Sequence, residues 1–454
     1  MLTTGGQIRF STDTLTFDTV FTQTGSFTLG LKLFNTESSP VTLSSVRLEK
    51  AGISPFRINV NGIPGPVVKD IEIAANDSIY VFATVRINPD TTNAPFIVED
   101  RLLATLNGKD FAIPLIAYGQ NAHYIVNEDV SNAIWGADDT KPYVLVGKVD
   151  VLEGKTLTIR KGTRLYMHAD CRLAVYGTLK ALGSKEDSII FQGDRLDRAY
   201  FGVVGYPGEW GGIYFAPRST NNVLQHCILK NGGNSARNAF PALIQVSPDS
   251  VADVEPQLRL DRVTIENSIG YGLLSFNGTV RGDNVLIHSC GAQALAVLYG
   301  GADTFNNCTF VIQNPPRVTH TDQPTVALLN SYEYEKNKFL DAPLSAVLRN
   351  CIIWGSLEDE IVSYNRKAAA YNVILDHCLL KSATASAVSD ALRVGGPANN
   401  TDPQFTDASK QDYHLKSSSP LKNAGTSISG DFSGLDRDDV PRNGQWDIGC
   451  YRVP

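Results

Sequence analysis

The chain has 454 residues, with 40 Lys and Arg against 47 Asp and Glu, and a formal net charge of −7. That length allows two or three domains with a sizeable core, and the mild acidity, without any basic run, argues against nucleic acid or an anionic membrane surface as the main partner. No apolar stretch is long enough for a membrane-spanning helix, and a composition with 38 glycines and only 2 methionines, rich in Thr, Val, Ile and Asn, reads as all-β.

The opening MLTTGGQIRF has neither a charged n-region nor an apolar h-region, so the protein is either cytosolic or has already lost a leader. Residues 8 to about 120 follow as short alternating segments. In FTLGLKLFN, residues Phe27, Leu29, Leu31 and Leu33 share one face. Asn61-Gly62, Asn88-Pro89 and Asn107-Gly108 mark turns between such segments. About seven strands over this length predict an Ig-like β-sandwich without the Cys-Trp-Cys pattern of antibody domains. FNTESSPVTLSSVRL, IEIAANDSIYVFATVRINP and FAIPLIAYGQ resemble Ig-like modules of the ASPM/SPD-2/Hydin kind. The resemblance implies a spacer or docking unit.

From residue 123 the strands become very short, and each ends on Gly, Asp or Ser. A motif recurs as QHCIL, DRVTI, DNVLI, NNCTF, RNCII and DHCLL, at intervals of 36, 22, 23, 43 and 27 residues. Its small apolar slot holds Cys227, Val263, Val285, Cys308, Cys351 and Cys378. Two residues on stand Leu229, Ile265, Ile287, Phe310, Ile353 and Leu380. Positions i and i+2 of a strand face the same way, so each pair points into a solenoid with a unit near 22 residues. Residues 232–258 and 314–343 read as insertions. Four of the seven cysteines occupy the inward slot, and the expectation is reduced, buried thiols. His226 and His377, just before inward cysteines, are expected outward and solvated. DYHLKSSSPLKNAGTSISGDFSGLDRDDVPRNGQWDIGCYRVP reads as the cap of the C-terminal end.

Four aromatic residues are candidate ligand contacts. Tyr206 and Trp210 lie in GYPGEWGGIYF, where Trp210 also reads as packing at a turn before inward Ile213 and Phe215. Tyr332 and Tyr334 in NSYEYEKNKF share a face if extended, with Glu333 and Glu335 opposite. The acidic residues Asp194, Asp197, Asp253, Glu255, Glu266, Asp283 and the run Glu358-Asp359-Glu360 form no motif that ties them to lyase or glycosidase chemistry. No metal-ligand spacing, phosphate loop or catalytic signature is present, so no cofactor, metal or catalytic residue is expected.

VLEGKTLTIRKGTRLYM, LAVYGTLKALGSKEDSIIFQGDR, GEWGGIYF and the ending YHLKSSSPLKNAG…DIGCY resemble right-handed parallel β-helix proteins of the pectin-lyase-like superfamily, and more narrowly β-helix lipoproteins of Bacteroidetes. This ending has Cys450 where alanine is usual. The predicted fold is therefore all-β, an N-terminal Ig-like β-sandwich over residues 1–122 followed by a right-handed parallel β-helix (solenoid) over 123–454. The resemblance implies a lipid-anchored protein of the outer membrane and cell surface, or alternatively of the periplasm. It would bind a glycan or peptide, without catalysis, as an accessory of a SusC/SusD-like nutrient importer. A polysaccharide lyase or glycoside hydrolase on the same scaffold, and a structural or adhesive surface protein, are the alternatives.

Overall fold

The computed structural model describes residues 6–89, 91, 95–136, 140–196, 205–247, 256–430 and 432–454. The chain divides into two compact units, one comprising Met1–His123 with two short later segments, the other Tyr124–Asp138, Pro142–Asp194 and Gly205–Pro454.

The first unit is a β-sandwich of two five-stranded sheets, more strands than the sequence suggests. KDIEIAANDSIYVFATV, which reads as one segment, is two strands, Val67–Ile73 and Ser78–Val85, in different sheets. Asn61-Gly62 and Asn107-Gly108 each carry two consecutive positive φ angles, the two-residue hairpin turn such pairs favour. Leu15–Phe21 pairs in parallel with the last strand, Lys109–Gln120. Alternate residues, among them Leu29, Leu31, Leu33, Val81, Ala83 and Val85, fill the core between the sheets.

The second unit is a parallel β-helix with three faces. The first face stacks from Arg164–Met167 to Leu379–Leu380, the second from Tyr143–Val151 to Ile361–Tyr364, and the third from Ala133–Trp135 to Leu392–Val394. The recurrent motif belongs to the first face. Its i+2 residues continue one inward column: Leu165, Phe191, Leu229, Ile265, Ile287, Phe310, Ile353 and Leu380 stand in register. All are fully buried, and each contributes roughly 1.5–3 kcal/mol of transfer free energy.

The corner from the third face to the first is turned by His226, Arg262, Asn284, Asn307, Asn350 and His377, all at positive φ, a region asparagine tolerates better than most residues. The slot just after the corner is the cysteine position. Cys227, Cys308, Cys351 and Cys378 each donate S–H to a carbonyl of the third face, on Ala181, Gly282, Phe305 and Leu348, at 3.3–3.6 Å. All seven cysteines are free and buried, and burial pushes the Cys227, Cys351 and Cys378 thiols well above their ordinary value.

The stretches 232–258 and 314–343 are not plain insertions, because each contains a strand of the second face, Ala242–Val246 and Val326–Leu329. VALL is wholly apolar and ALIQV has only Gln245 as a polar residue, so no clear alternation marks them. Outward Leu274, Ala296 and Ala327 on this face are as buried as inward residues, within a cluster that includes Phe240, Phe276 and Tyr332.

The C-terminal stretch lies along the side of the solenoid instead of across its end. Leu421, Ile448, Cys450 and Val453 pack on the outward residues Leu286, Ile352 and Leu379 of the first face. The segment then runs back along the positive-φ corner. Asn350 accepts from the Thr426 N–H at 2.8 Å. Asn307 donates to the Asp447 carbonyl at 2.8 Å, and Asn284 donates to the Leu435 carbonyl at 3.1 Å. Asp439 meets Arg262 and His226, and Lys185 donates to the Asp438 carbonyl at 2.6 Å. His226 does point outward, but this segment covers it: it is 6% exposed and lies 3.3 Å from Asp439. Burial, the main cause, lowers its pKa toward the neutral form. His377 is half-buried and pairs with Asp376 at 2.7 Å. Beyond the last rungs, Val388 from the 3-10 turn Ala385–Val388 joins the interior core.

Candidate functional site

The four aromatic candidates do not form one site. Trp210 is wholly buried in the solenoid core, and its indole N–H donates to the Lys230 carbonyl at 2.9 Å. A residue so enclosed offers no platform to a ligand. Ile213 and Phe215 face the same core. Gly212, at φ +83°, is required there, since a Cβ would fall 2.3 Å from the Ala242 carbonyl of the next rung. Tyr206 is half-buried, and the Arg317 guanidinium lies 5.7 Å from its ring centroid. Tyr332 packs edge-on against Phe240 and Phe276 at 5.5 and 5.1 Å. Tyr334 is 54% exposed on the hairpin Ser331–Glu335/Lys338–Asp341, where an irregularity between Glu333 and Glu335 breaks the alternation.

Most described acidic candidates are held by neighbours. Asp194 pairs with His168 at 2.6 Å and Glu266 with His288 at 3.2 Å. Glu360 is fully buried, accepting from the Thr325 N–H and hydroxyl and meeting His320 at 3.0 Å. Asp359 accepts from Ser382 and Thr384. Asp197, Asp253 and Glu255 lie outside the described residues.

Asp283 is different, because it lines a cavity of about 310 Å³ on the outside of the third face. Two consecutive strands, Leu258–Asp261 and Thr279–Asp283, place Arg259 beside Arg281 and Asp261 beside Asp283. Both pairs point outward, because the residues between and before them, Leu258, Leu260, Val280 and Gly282, face in. Adjacent rungs bring each like pair to a backbone spacing of about 4.8 Å. The remaining wall comes from the returning C-terminal segment, through Gly430, Phe432 and Ser433. Phe432 is half-buried, with Trp446 5.8 Å from its ring.

The charges of the cavity are fixed by short contacts. Arg281 Nε donates to Asp283 at 2.9 Å and Asn306 donates to its other oxygen at 2.8 Å. Arg262 Nε donates to Asp261 at 3.1 Å. Burial raises the Asp283 pKa above the ordinary carboxylate value, and the Asn306 and Arg281 contacts offset only part of that rise. The cavity thus offers guanidinium donors and carboxylate acceptors, held in place, beside one aromatic ring. Polyhydroxylated ligands need that combination: hydroxyls exchange hydrogen bonds with both kinds of charged group, and the apolar face of a sugar ring covers the aromatic ring. Among the described residues no cluster of His, Cys, Asp and Glu could hold a metal ion.

The sequence signal for this site lies in RLDRVTI and RGDNVLI. Both place Arg and Asp at the same distance before the inward slot. Phe432 has no such signal, since no periodicity relates the return segment to the rungs.

No protein family matches the chain, and no curated protein is similar to it. Solved structures that align with it include the catalytic domain of a GH87 α-1,3-glucanase, at 10% identity over 83% of this chain and 92% of that one, with a TM-score of 0.22. A family 123 glycoside hydrolase from Clostridium perfringens aligns at 14% identity over 27% of this chain and 26% of its own, with a TM-score of 0.18. The N-terminal domain of PorA aligns at 11% identity over 25% and 97%, also with a TM-score of 0.18. The chain spans about a quarter, 26%, of the family 123 enzyme. Likenesses this distant assign no activity.

Proposed function

We propose that the protein is a non-enzymatic saccharide-binding protein whose ligand enters the cavity on the third face. The observation that carries this reading is the meeting of Arg259, Arg281, Asp261 and Asp283 with the half-buried ring of Phe432 in one cavity. Each carboxylate is already matched by a guanidinium, Asp261 by Arg262 and Asp283 by Arg281, an arrangement that suits holding hydroxyl groups better than moving protons. Phe432→Ala is expected to weaken binding of a cognate oligosaccharide about tenfold, the loss of one ring contact. The measurement is calorimetry with a panel of neutral and acidic oligosaccharides. Equal affinity of the variant, or no binding by the parent chain, would overturn the reading.

A second reading rests on Asp283. Burial raises its pKa, a second carboxylate, Asp261, stands one rung away, and glycosidases use a pair of carboxyl groups of which one is a raised acid. Release of shorter products from the same panel, abolished by Asp283→Asn, would replace binding with hydrolysis.

The resemblance to surface lipoproteins supports a further part of the proposal, display at the outer membrane beside a SusC/SusD-like importer. An affinity pull-down from detergent-solubilised native membranes is expected to recover such a transporter. Recovery of this chain alone would remove the accessory role and leave the binding role standing.

A further inference from the structure

The sandwich carries an exposed surface that the cavity does not use. Its first sheet is ordered Ile8–Phe10, Leu29–Asn35, Ser78–Val85, Phe56–Val60, Ile63–Pro64. Ser78–Val85 is central. Its inward residues Ile79, Val81, Ala83 and Val85 are buried, while Tyr80 and Phe82 are 50% and 42% exposed. Their rings lie parallel within 5°, with centroids 5.7 Å apart. Gly30 stands opposite Phe82, where a Cβ would come 3.2 Å from the ring. The missing side chain lets that ring lie against the sheet.

Cations surround the rings. Lys32 Nζ lies 4.9 Å from the Tyr80 centroid, and the Arg9 guanidinium lies 4.6 Å from that of Phe34. Arg57, on the other neighbouring strand, is held by the carbonyls of Ser54 and Phe56 at 2.8 and 3.0 Å. Leu29–Asn35, Phe56–Val60 and Ser78–Val85 contain no Asp or Glu at all, in a chain of net charge −7. Three adjoining strands with aromatic rings and cations and without a carboxylate of their own are complementary to an anionic chain whose repeating units also present apolar faces. The Ser78–Val85 strand is paired on both edges, so a peptide cannot add to it as another strand.

We propose that this face binds an acidic polysaccharide, with sugar rings over Tyr80 and Phe82 and their carboxylate or sulfate groups on Lys32, Arg9 and Arg57. The site is separate from the cavity of the third face. The 454-residue chain is titrated with hexagalacturonate, with a heparin-derived sulfated hexasaccharide, with maltohexaose and with an oligoglutamate peptide. At least one anionic hexasaccharide is expected to bind more tightly than maltohexaose and oligoglutamate, and more weakly as salt rises. The double variant Tyr80→Ala/Phe82→Ala is expected to lose at least tenfold in affinity while remaining folded, with a melting temperature lowered by only a few degrees because both side chains face outward and are about half exposed. Lys32→Gln is expected to weaken anionic sugars while leaving both rings in place. The two anionic hexasaccharides separate carboxylate from sulfate as the recognised group. The proposal falls if neither binds, if the double variant binds as the parent does, or if oligoglutamate binds more tightly than both. The cavity is scored by Phe432→Ala, so failure of one site is distinct from failure of the other.

Discussion

Asp303→Asn stabilises the protein, and the gain grows with pH from about 4 to about 8. Asp303 points into the solenoid core from the strand Gly301–Asn306 and is 2% exposed. One carboxyl oxygen accepts from the Ser275 hydroxyl at 2.9 Å and from the Val280 N–H at 3.1 Å. The other is buried with no hydrogen-bond partner among the described residues. Burial outweighs those two contacts and pushes the pKa up to about 8, from an ordinary 3.8. Below the ordinary value both folded and unfolded chains carry the proton, and burial costs no ionisation. As pH rises, the unfolded chain releases its proton first, so stability falls until the folded group also ionises near pH 8. Each unit of separation is worth about 1.4 kcal/mol, so the expected gain at pH 8 is roughly a few kcal/mol, vanishing near pH 4. Asparagine keeps the acceptor that Ser275 and Val280 use and removes the titration. Urea unfolding of both proteins at pH 4, 6 and 8 measures the difference, and a difference that does not change with pH would refute this account.

Arg442→Ala is expected to cost about 2–3 kcal/mol, as loss of a large buried side chain with charge-assisted hydrogen bonds to neutral acceptors does. Arg442 is 1% exposed. Its Nη2 donates to the Asn284 side chain at 3.0 Å and to the Gly449 carbonyl at 3.1 Å, tying the return segment to the corner. Alanine leaves the Asn284 side-chain oxygen without this donor, while the Gly449 carbonyl keeps its bond from Asn307. A lysine cannot reproduce the planar fork, so Arg442→Lys is expected to recover only part of the loss. Because Gly430, Phe432 and Ser433 belong to the same segment, oligosaccharide affinity is expected to fall together with the melting temperature. Limited proteolysis should cut the variant first within residues 420–454. An unchanged cleavage pattern and melting temperature would show that the segment is held by its apolar contacts alone.

The first face was legible in the sequence because its motif combines period-two alternation with a corner residue, as in NNCTF and RNCII. The second face was not. ALIQV and VALL are covered on both sides and carry one polar residue, Gln245, between them, and a doubly buried strand loses the alternation that reveals it. Asp303 could have been found by counting back two residues from inward Phe305. His226 was given the right direction and the wrong surroundings, since outward is exposed only where nothing lies on top, and the covering residue, Asp439, is far away in sequence. Trp210 and Tyr332 pack, and Tyr206 and Tyr334 lie apart, whereas the cavity draws on Arg259, Asp261, Arg281 and Asp283, whose repetition is visible in the sequence but whose meeting with Phe432 depends on the path of the return segment.

That path alters how the solenoid comes apart. Stacked rungs that touch only their neighbours can fray one at a time from an open end, so stability is local and unfolding is gradual. Here a single stretch of chain bonds Asn350, Asn307, Asn284, Arg262, His226 and Lys185 in turn. A rung between Lys185 and Asn350 cannot loosen without disturbing a tether shared with rungs far from it. The segment makes neighbours of distant repeats, and a structure built as a row is made to melt as a block.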